Sequence, residues 1–263
     1  MTLERLKRKW RLLISDRALR RRTKRKLWSW TRGLTLLVLS AALIYLSNRY
    51  IAPQHLPWRK LDVDAPMGLS TKLQLTRVSF SPSSICMAMA QQAANMKSIP
   101  ADPLNGDGPC GWDVARLMYS AGDVALAPGE ATLQCPLALG QYIWLREVDV
   151  LAQRHLNSGV AKLHHAGSYS CRRQRGNGSG AWSEHAFANA LDVTGFTLDD
   201  GRVISVLKDW DGKTAPDKSD RRAFLRAVRD KGCKIFRVTL SPDFNAAHKD
   251  HFHFDMGPST SCR

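Results

Sequence analysis

Apolar residues recur along the chain with two periods, one typical of helices and one typical of strands. Residues 81–96 (SPSSICMAMAQQAANM) begin with Ser and Pro and then carry apolar residues at helical spacing, which predicts a helix. Residues 136–156 predict a second helix in the same way. A third helix is predicted over SDRRAFLRAVRDKGC, with Ser219 as its N-cap and Gly232 at its end.

Other stretches alternate in polarity or are rich in β-branched and aromatic residues, which predicts strands. STKLQLTRVSF (70–80) alternates, and short strands are expected between the turn-rich PADPLNGDGPCG and Gly129. DVTGFTL and RVISVL, joined by DDG, predict a hairpin. Further predicted strands are VAKLHHAGSYSCR (160–172), CKIFRVTL (233–240) and HFHF (251–254). The mixed order predicts an α+β domain in which a small antiparallel sheet has flanking helices.

An uncharged apolar run, residues 33–48, precedes this domain. Its sixteen residues are fewer than the ~20 that cross ~30 Å of hydrocarbon. Trp28 and Trp30 on one side and Tyr50 on the other are typical of membrane interfaces, and flanking arginines can snorkel to cover the deficit. The run therefore predicts a transmembrane anchor.

The net charge of +16 is concentrated ahead of the apolar run. Residues 1–32 hold thirteen Lys and Arg against two acidic residues, a net charge of +11. The rest of the chain holds 26 basic and 21 acidic residues, a net charge of only +5. By the positive-inside rule the basic segment stays in the cytoplasm, so we do not expect a nucleic-acid partner.

Four parts follow from these patterns: a basic cytoplasmic segment (1–32), a transmembrane anchor (33–48), a linker (49–68) and a domain (69–263). The linker has three prolines and no clear period. A cleaved signal peptide is the alternative to the anchor, but the basic region is long and no convincing small-x-small cleavage site follows. The expected location is the inner membrane, crossed once, with the domain in the periplasm.

All six cysteines lie beyond the apolar run, and none belongs to a CxxC pair. An even number on the exported side predicts disulfides in an oxidising compartment rather than zinc fingers. Six cysteines allow fifteen pairings. We expect Cys86–Cys110 first because it closes a local loop, which leaves Cys171–Cys233 and Cys135–Cys262.

Near its end the chain has HKDHFHFD (248–255), a crowded group of histidines and aspartates. On a strand His251 and His253 would share one face, while Phe252 and Phe254 would pack into the core from the other. Two imidazoles held in this way suit a metal site, although a strand with one solvated polar face has the same pattern.

A second cluster, SEHAFANALDV (183–193), places His185 seven residues before Asp192. Asp192 begins an apolar strand, where an unpaired carboxylate is costly and a metal ion would satisfy it; a surface Asp at a strand end is the alternative. Two histidines, one carboxylate and a fourth position for water form a ligand set expected of catalytic zinc, which lowers the pKa of bound water toward ~7.

The pattern S-x-H, six residues, D, followed by a late H-x-H, resembles the LAS metallopeptidases: lysostaphin-type enzymes, D-Ala-D-Ala peptidases and the Hedgehog signalling domain. Residues 80–263, about two thirds of the chain, are more closely similar to the bacterial extensin-like C-terminal domain family. That likeness is carried by CPLALG, GSYSCR, SEHAFANALDV, the DDGR hairpin and AAHKDHFHFDM. It implies a Hedgehog/DD-peptidase-like fold; the Pro-rich repeats of plant extensins are missing here.

The resemblance implies that zinc (Zn²⁺) is the cofactor and that His185, Asp192 and His253 are its ligands. His251 then becomes the general base or the stabiliser of the transition state. His248 is an auxiliary residue, because its spacing to His251 matches the penicillin-insensitive murein endopeptidases.

Two further positions follow from the same resemblance. Asp250 stands where the D-Ala-D-Ala peptidases have a Glu, and ranks behind His251 as a base. Arg172, with Arg173 next, is expected to hold the scissile carbonyl or a substrate carboxylate, although either could simply belong to a basic patch. The chain departs from the LAS pattern at Ala188, where Gly is common.

Two other features contain residue types that occur in metal or binding sites. His164 and His165 are adjacent, so on a strand they point to opposite sides and at most one could face the site. Trp210 is expected to pack or to stabilise a turn rather than to line a groove.

The expected function is therefore that of a membrane-anchored periplasmic zinc peptidase acting on peptidoglycan peptides. The alternative from another class is a zinc-containing domain that binds cell wall or protein without turnover, as in Hedgehog. A third hypothesis is a structural protein that links to the cell wall and holds no zinc.

Overall fold

The structure is a computed structural model that describes residues 3–174, 178–211 and 218–263. It divides into two compact units, Met1–Ala52 and Pro53–Arg263. Each unit has its own architecture and is described separately.

The first unit is one long helix, α1 (Leu3–Tyr50). Within it, Lys24–Tyr50 is long and apolar enough to cross a membrane. The predicted anchor at 33–48 lies inside this stretch. By length and composition the stretch fits an anchor and also a signal sequence, so uncleaved anchoring and its orientation stay predictions.

The second unit contains five helices among the residues described. The longest, α4, begins with Cys135 and Pro136 and ends at a left-handed Asn157. Helix α6 forms where the third helix was predicted, but Ser219 lies inside it rather than at its N-cap. Residues 212–217, which precede this helix, are outside the described residues. The bounds are α2 (Thr71–Ser79), α3 (Ser83–Gln92), α4 (Cys135–Leu156), α5 (Val206–Asp209) and α6 (Lys218–Cys233).

One sheet of ten strands forms the framework of this unit, in the order β1-β4-β5-β7-β8-β11-β10-β12, with β6 on β4 and β9 on β8. Strands β2 and β3 form a separate pair. The bounds are β1 (Met96–Ala101), β2 (Leu104–Asn105), β3 (Gly111–Trp112), β4 (Ala115–Ala121), β5 (Val124–Ala127), β6 (Ala131–Gln134), β7 (Val160–Gly167), β8 (Ala190–Leu198), β9 (Val203–Ser205), β10 (Val238–Leu240), β11 (Phe252–Asp255) and β12 (Ser261–Cys262).

The mixed α and β composition is confirmed, but the expectation that the antiparallel sheet is small was wrong. The sheet is large, and β5 pairs with β7 and β10 with β12 in parallel. The predicted hairpin is present as β8 and β9. Many of the extra strands are only two to four residues long, too short for a periodic signal to distinguish them from turns.

The core lies between the sheet and α4. Trp144 of α4 is fully buried, with its ring centroid 4.6 Å from that of Phe254 and 6.1 Å from that of Phe236. Phe252 and Phe254 of β11 are both fully buried. Phe252 and Phe254 therefore pack into the core as expected, which fixes β11 and directs His253 to the other side.

The segment 70–80 was predicted as a strand and is helix α2. Its buried residues are Thr71, Gln74, Leu75 and Val78, and intervals of three, one and three are helical. The alternation in STKLQLTRVSF is real, but burial against α4 selects the other period.

The stretch assigned to the linker also differs from expectation. Leu56, Leu61 and Val63 are buried. The Tyr142 hydroxyl donates a hydrogen bond to the Asp64 carboxylate, 2.5 Å away. From Pro53 onward the chain therefore belongs to the folded unit, although its prolines and weak periodicity resemble a tether.

The cysteines form three disulfides, Cys86–Cys135, Cys110–Cys171 and Cys233–Cys262, and none is free. The predicted presence of disulfides is confirmed, whereas all three predicted pairings were wrong. Each bond joins elements that meet only in the fold: α3 to the start of α4, the β2–β3 loop to the segment before Arg172, and the end of α6 to β12. Sequence separation carries no information about such contacts.

Candidate metal centre

The sheet and one short turn of 3-10 helix bring His185, Asp192 and His253 together. Asp192 on β8 is paired across the ladder with His253 on β11, so their side chains project on the same face. His185 lies in the 3-10 turn Glu184–Phe187, where its backbone N–H donates to the Ser183 hydroxyl. The turn ends at Ala188, which has a left-handed backbone (φ 53°), a conformation that Gly adopts with less strain than Ala.

Three donor atoms converge at this point. Asp192 Oδ1 lies 2.9 Å from His253 Nδ1 and 3.2 Å from His185 Nε2, and the two nitrogens are 3.2 Å apart. Bonds of about 2.0–2.1 Å to a tetrahedral ion imply ligand separations of about 3.3–3.4 Å. The triangle of donors thus fits zinc after a small expansion. Among the described residues, only this group of His, Cys, Asp and Glu has metal-binding spacing.

A second partner on each imidazole directs the remaining nitrogen toward the centre. His185 Nδ1 lies 3.2 Å from the carbonyl oxygen of Ser168, and since a carbonyl only accepts, this nitrogen carries the proton. His253 Nε2 lies 2.9 Å from Asp255 Oδ2. A carboxylate or carbonyl behind a histidine is a recurrent feature of metal sites, because it fixes the tautomer and the ring orientation.

The electrostatics of the triangle are dominated by the Asp192 carboxylate. Burial alone would raise the pKa of Asp192, but its interactions with His185 and His253 outweigh burial and hold that pKa far below its usual range. Burial likewise opposes the charged form of His253, yet its hydrogen bonds to Asp192 and Asp255 raise its pKa to about 9. Without a metal ion, a proton on His253 thus balances the buried carboxylate.

His251 and Asp250 form a pair beside the three donors. His251 Nδ1 is 2.9 Å from Asp250 Oδ1, and His251 Nε2 is 3.7 Å from Asp192 Oδ1. Asp250 thus contacts His251, and His251 turns its other nitrogen toward the centre. This hydrogen bond also holds the pKa of Asp250 below its usual range.

His248 completes the histidine cluster. Its ring centroid lies 5.1 Å from that of His251 and 6.0 Å from that of His253. Its Nδ1 lies 2.8 Å from Asn245 Oδ1. Burial and the neighbouring His251 and His253 lower the pKa of His248 to about 4, so the ring is neutral at neutral pH.

A cavity of about 740 Å³ opens over these residues. Arg172 lines the cavity, whereas the Arg173 guanidinium lies 4.5 Å from the Trp182 ring centroid and donates to the Gly180 carbonyl. Of the two arginines, the structure therefore places Arg172 on the cavity wall and engages Arg173 elsewhere. The cavity wall also includes Glu184, Phe187, Phe244, Asn245, Pro258 and Ser259.

Sequence reasoning missed Asp255, the Ser168 carbonyl and Asn245. Asp255 was predictable, since it lies two residues after His253 and therefore on the same face of a strand. The carbonyl of Ser168 and the side chain of Asn245 had none, because they reach their histidines through loops.

His164, His165 and Trp210 contact residues other than those of the metal centre. His164 Nε2 lies 2.7 Å from the Thr197 hydroxyl, and His165 Nε2 lies 3.1 Å from the Gly129 carbonyl. Trp210 is buried, as expected for a packing residue, and its ring stands edge-on to Phe252. It thereby supports β11 from the core side.

The sequence model of one family, described as extensin-like protein C-terminus, matches residues 84–263. The chain belongs to this family. No curated protein and no solved structure matches the chain.

Proposed function

We propose that this chain is a membrane-anchored zinc peptidase that hydrolyses an amide bond in the stem peptides or cross-links of peptidoglycan, on the periplasmic side of the inner membrane. One observation carries the proposal: two oriented histidines and a half-buried carboxylate converge below a cavity that also holds His251, His248 and Arg172. The likeness of the His185–Asp192 and His251–His253 motifs to the LAS metallopeptidases, with the Hedgehog/DD-peptidase-like fold which that likeness implies, supports it.

His185, Asp192 and His253 would hold the metal through Nε2, Oδ1 and Nδ1. Zinc, when bound, supplies Lewis acidity and lowers the pKa of water at an open coordination position toward ~7. The protein contributes the orientation of the ligands through Ser168 and Asp255.

Proton transfer is assigned to His251. With Nδ1–H donated to Asp250, Nε2 is the basic atom on the side of the centre. The Asp250 carboxylate stabilises the imidazolium formed when His251 takes a proton from the attacking water. The same proton then passes to the leaving amine.

Two other cavity residues would bind the substrate. The Arg172 guanidinium is suited to the carbonyl oxygen that gains negative charge, or to a peptide carboxylate. His248, neutral and held at Nδ1 by Asn245, offers Nε2 as a hydrogen-bonding atom to the leaving group. The net +5 of the residues beyond 32 favours anionic glycan peptides.

The test uses the full chain in detergent, with its disulfides intact and loaded with zinc. Purified muropeptides are incubated with it, with and without a chelator, and products are identified by mass spectrometry. We expect a chelator-sensitive product from the wild type. His251→Ala should abolish the product but retain one zinc, whereas His185→Ala should lose both. His155→Ala, at the end of α4 and outside the cavity wall, is the matched control and should retain both.

The outcomes separate the two classes of function. A product that survives complete removal of metal contradicts the zinc mechanism. One tightly held zinc with no product from any muropeptide would contradict the peptidase and favour the non-catalytic zinc-containing binding domain.

A further inference from the structure

An exposed apolar stripe runs along α2. Leu69, just ahead of the helix, is 90% exposed, Leu73 is 45% exposed, and Phe80 at the end of the helix is 76% exposed. Together with the exposed Arg77 they recur at intervals of four, four and three. Leu73 and Arg77 therefore share one face of α2, and Leu69 and Phe80 continue the same spacing just beyond the two ends of the helix.

The core does not use this stripe, because the other face of α2 already packs into the domain. Leu75 is fully buried, and Val78 and Gln74 are nearly so. A surface helix ordinarily presents polar residues to water on the side away from its core. Large apolar side chains grouped on that side mark an interaction surface.

Cations border the stripe. The Arg77 side chain donates to the Pro57 carbonyl, which brings the exposed Trp58 to the same region. The Arg237 guanidinium lies 5.6 Å from the Phe80 ring centroid. Lys72 Nζ donates to the Cys233 carbonyl from the side of the helix, and Arg59 and Lys60 next to Trp58 are exposed. Aromatic and aliphatic groups among Lys and Arg form the composition that binds an anionic lipid interface.

Chain connectivity restricts where this face can be. Only Ile51 and Ala52 separate Tyr50, the last residue of the apolar helix, from Pro53. The Gln74 side chain donates to the Pro53 carbonyl at 3.0 Å, and the Ser70 N–H donates to the Gln54 carbonyl at 3.0 Å. Three residues span at most about 11 Å, so the residues that contact α2 follow the apolar helix closely along the chain.

We propose that the Leu69–Leu73–Phe80 face of α2 docks onto the lipid surface of the membrane that holds α1. The apolar side chains enter the headgroup region, and the surrounding Lys and Arg contact anionic phospholipid. The inference rests on the anchor in the proposed function, but it is independent of zinc and of peptidase activity. It also gives the domain a defined face toward the membrane.

The test reconstitutes the full chain in nanodiscs that contain phosphatidylglycerol with a photoactivatable group near the headgroup end of its acyl chains. After irradiation, labelled residues are mapped by mass spectrometry. We expect labels in residues 33–48 and, separately, on α2. Replacing Leu69, Leu73 and Phe80 together by Ser should reduce the α2 labels about tenfold, since each side chain loses apolar burial, and should leave labels in residues 33–48 unchanged.

A matched control replaces exposed apolar residues elsewhere, Val203→Ser with Leu207→Ser, and should leave the α2 labels unchanged. All replaced side chains are exposed, so both variants should unfold at the wild-type temperature. Phosphatidylcholine in place of phosphatidylglycerol should weaken labelling of α2 but not of residues 33–48.

Three outcomes would overturn the inference. Labels in residues 33–48 without labels on α2 would contradict the docking of α2 and would still agree with the anchor. The lack of labels in both places would contradict the anchor itself. Cross-links between the α2 helices of two chains, formed in a parallel reaction with a bifunctional protein cross-linker, would show that a second copy covers the stripe if lipid labels on α2 are missing.

Discussion

At the scale of single residues, His253 is held at both ring nitrogens. Nδ1 contacts the Asp192 carboxylate and Nε2 contacts Asp255, each at 2.9 Å. Asp255 is itself fixed by the N–H of Gly257 at 2.9 Å. The ring therefore has one orientation, in which Nδ1 lies among the donors.

Asp255→Ala should lower zinc affinity by about 10–100-fold, because the ring loses the partner that fixes its tautomer and orientation. Competition with a chromophoric chelator measures this change. Asp200→Asn is the control, since Asp200 pairs with Arg202 on an exposed turn. The zinc affinity of this variant should equal that of the wild type. An unchanged affinity in Asp255→Ala would contradict the orienting role.

Zinc binding should release about one proton near neutral pH. The pKa of His253 is raised to about 9 in the zinc-free protein, so below this pH the ring carries a proton that the metal must displace. Asp192, whose pKa is lowered, is already ionised and releases none. Affinity should thus rise about tenfold per pH unit below pH 7, where the proton of His253 is the one displaced.

Calorimetry in two buffers of different ionisation enthalpy measures the proton release. An apparent binding enthalpy that is the same in both buffers, or an affinity independent of pH between 6 and 8, would contradict a protonated His253.

Single residues of the candidate site were also the part of the structure that the sequence predicted best. The spacing of His251 and His253 and the position of Asp192 before an apolar strand both describe a strand face, which is a local property. Their meeting across the β8–β11 ladder is not local, and only the likeness to a known motif connected them. Asn245 and the Ser168 carbonyl reach the centre through loops, for which no period exists.

At the scale of elements, long periodic segments were predictable and short ones were not. Helix α4 and the β8–β9 hairpin formed where expected, because their patterns extend over many residues or include a defined turn. Helix α2 has only nine residues, and its polarity is compatible with either period until packing decides. The disulfides failed for a related reason, since Cys86 meets Cys135 only after α3 has packed beside α4.

Replacing Cys86 and Cys135 together by Ala should lower the free energy of unfolding by about 2–4 kcal/mol, because the bond closes a long loop in the unfolded chain. Urea unfolding of the full chain in detergent measures the change. Non-reducing peptide mapping of the wild type is the companion experiment. A Cys86–Cys110 peptide in that map, or a double variant as stable as the wild type, would contradict the observed pairing.

At the scale of the whole molecule, the excess positive charge lies in one unit, and the disulfides and the candidate metal centre lie in the other. Most of the excess positive charge belongs to the helix that carries the apolar stretch. All three disulfides and the candidate metal centre belong to Pro53–Arg263. Disulfides persist in oxidising compartments, and dense positive charge stays on the cytoplasmic side of a membrane.

These two rules predict the same topology from opposite ends of the chain, which makes the arrangement testable with terminal tags. In intact spheroplasts, protease added from outside should remove a C-terminal tag and spare an N-terminal one. Both tags should be lost once the membrane is permeabilised. Protection of the C-terminal tag would contradict the periplasmic location, and would leave the disulfides in a reducing compartment that does not maintain them.

The same experiment separates an anchor from a signal peptide. An uncleaved anchor keeps both tags on one membrane-bound chain, whose untagged mass is 29.4 kDa. A cleaved signal peptide would release the C-terminal tag into the periplasmic fraction without the N-terminal one. In that case neither the anchor nor the docking of α2 beside it would stand, whereas the metal centre would be unaffected, because every residue that forms it lies in the second unit.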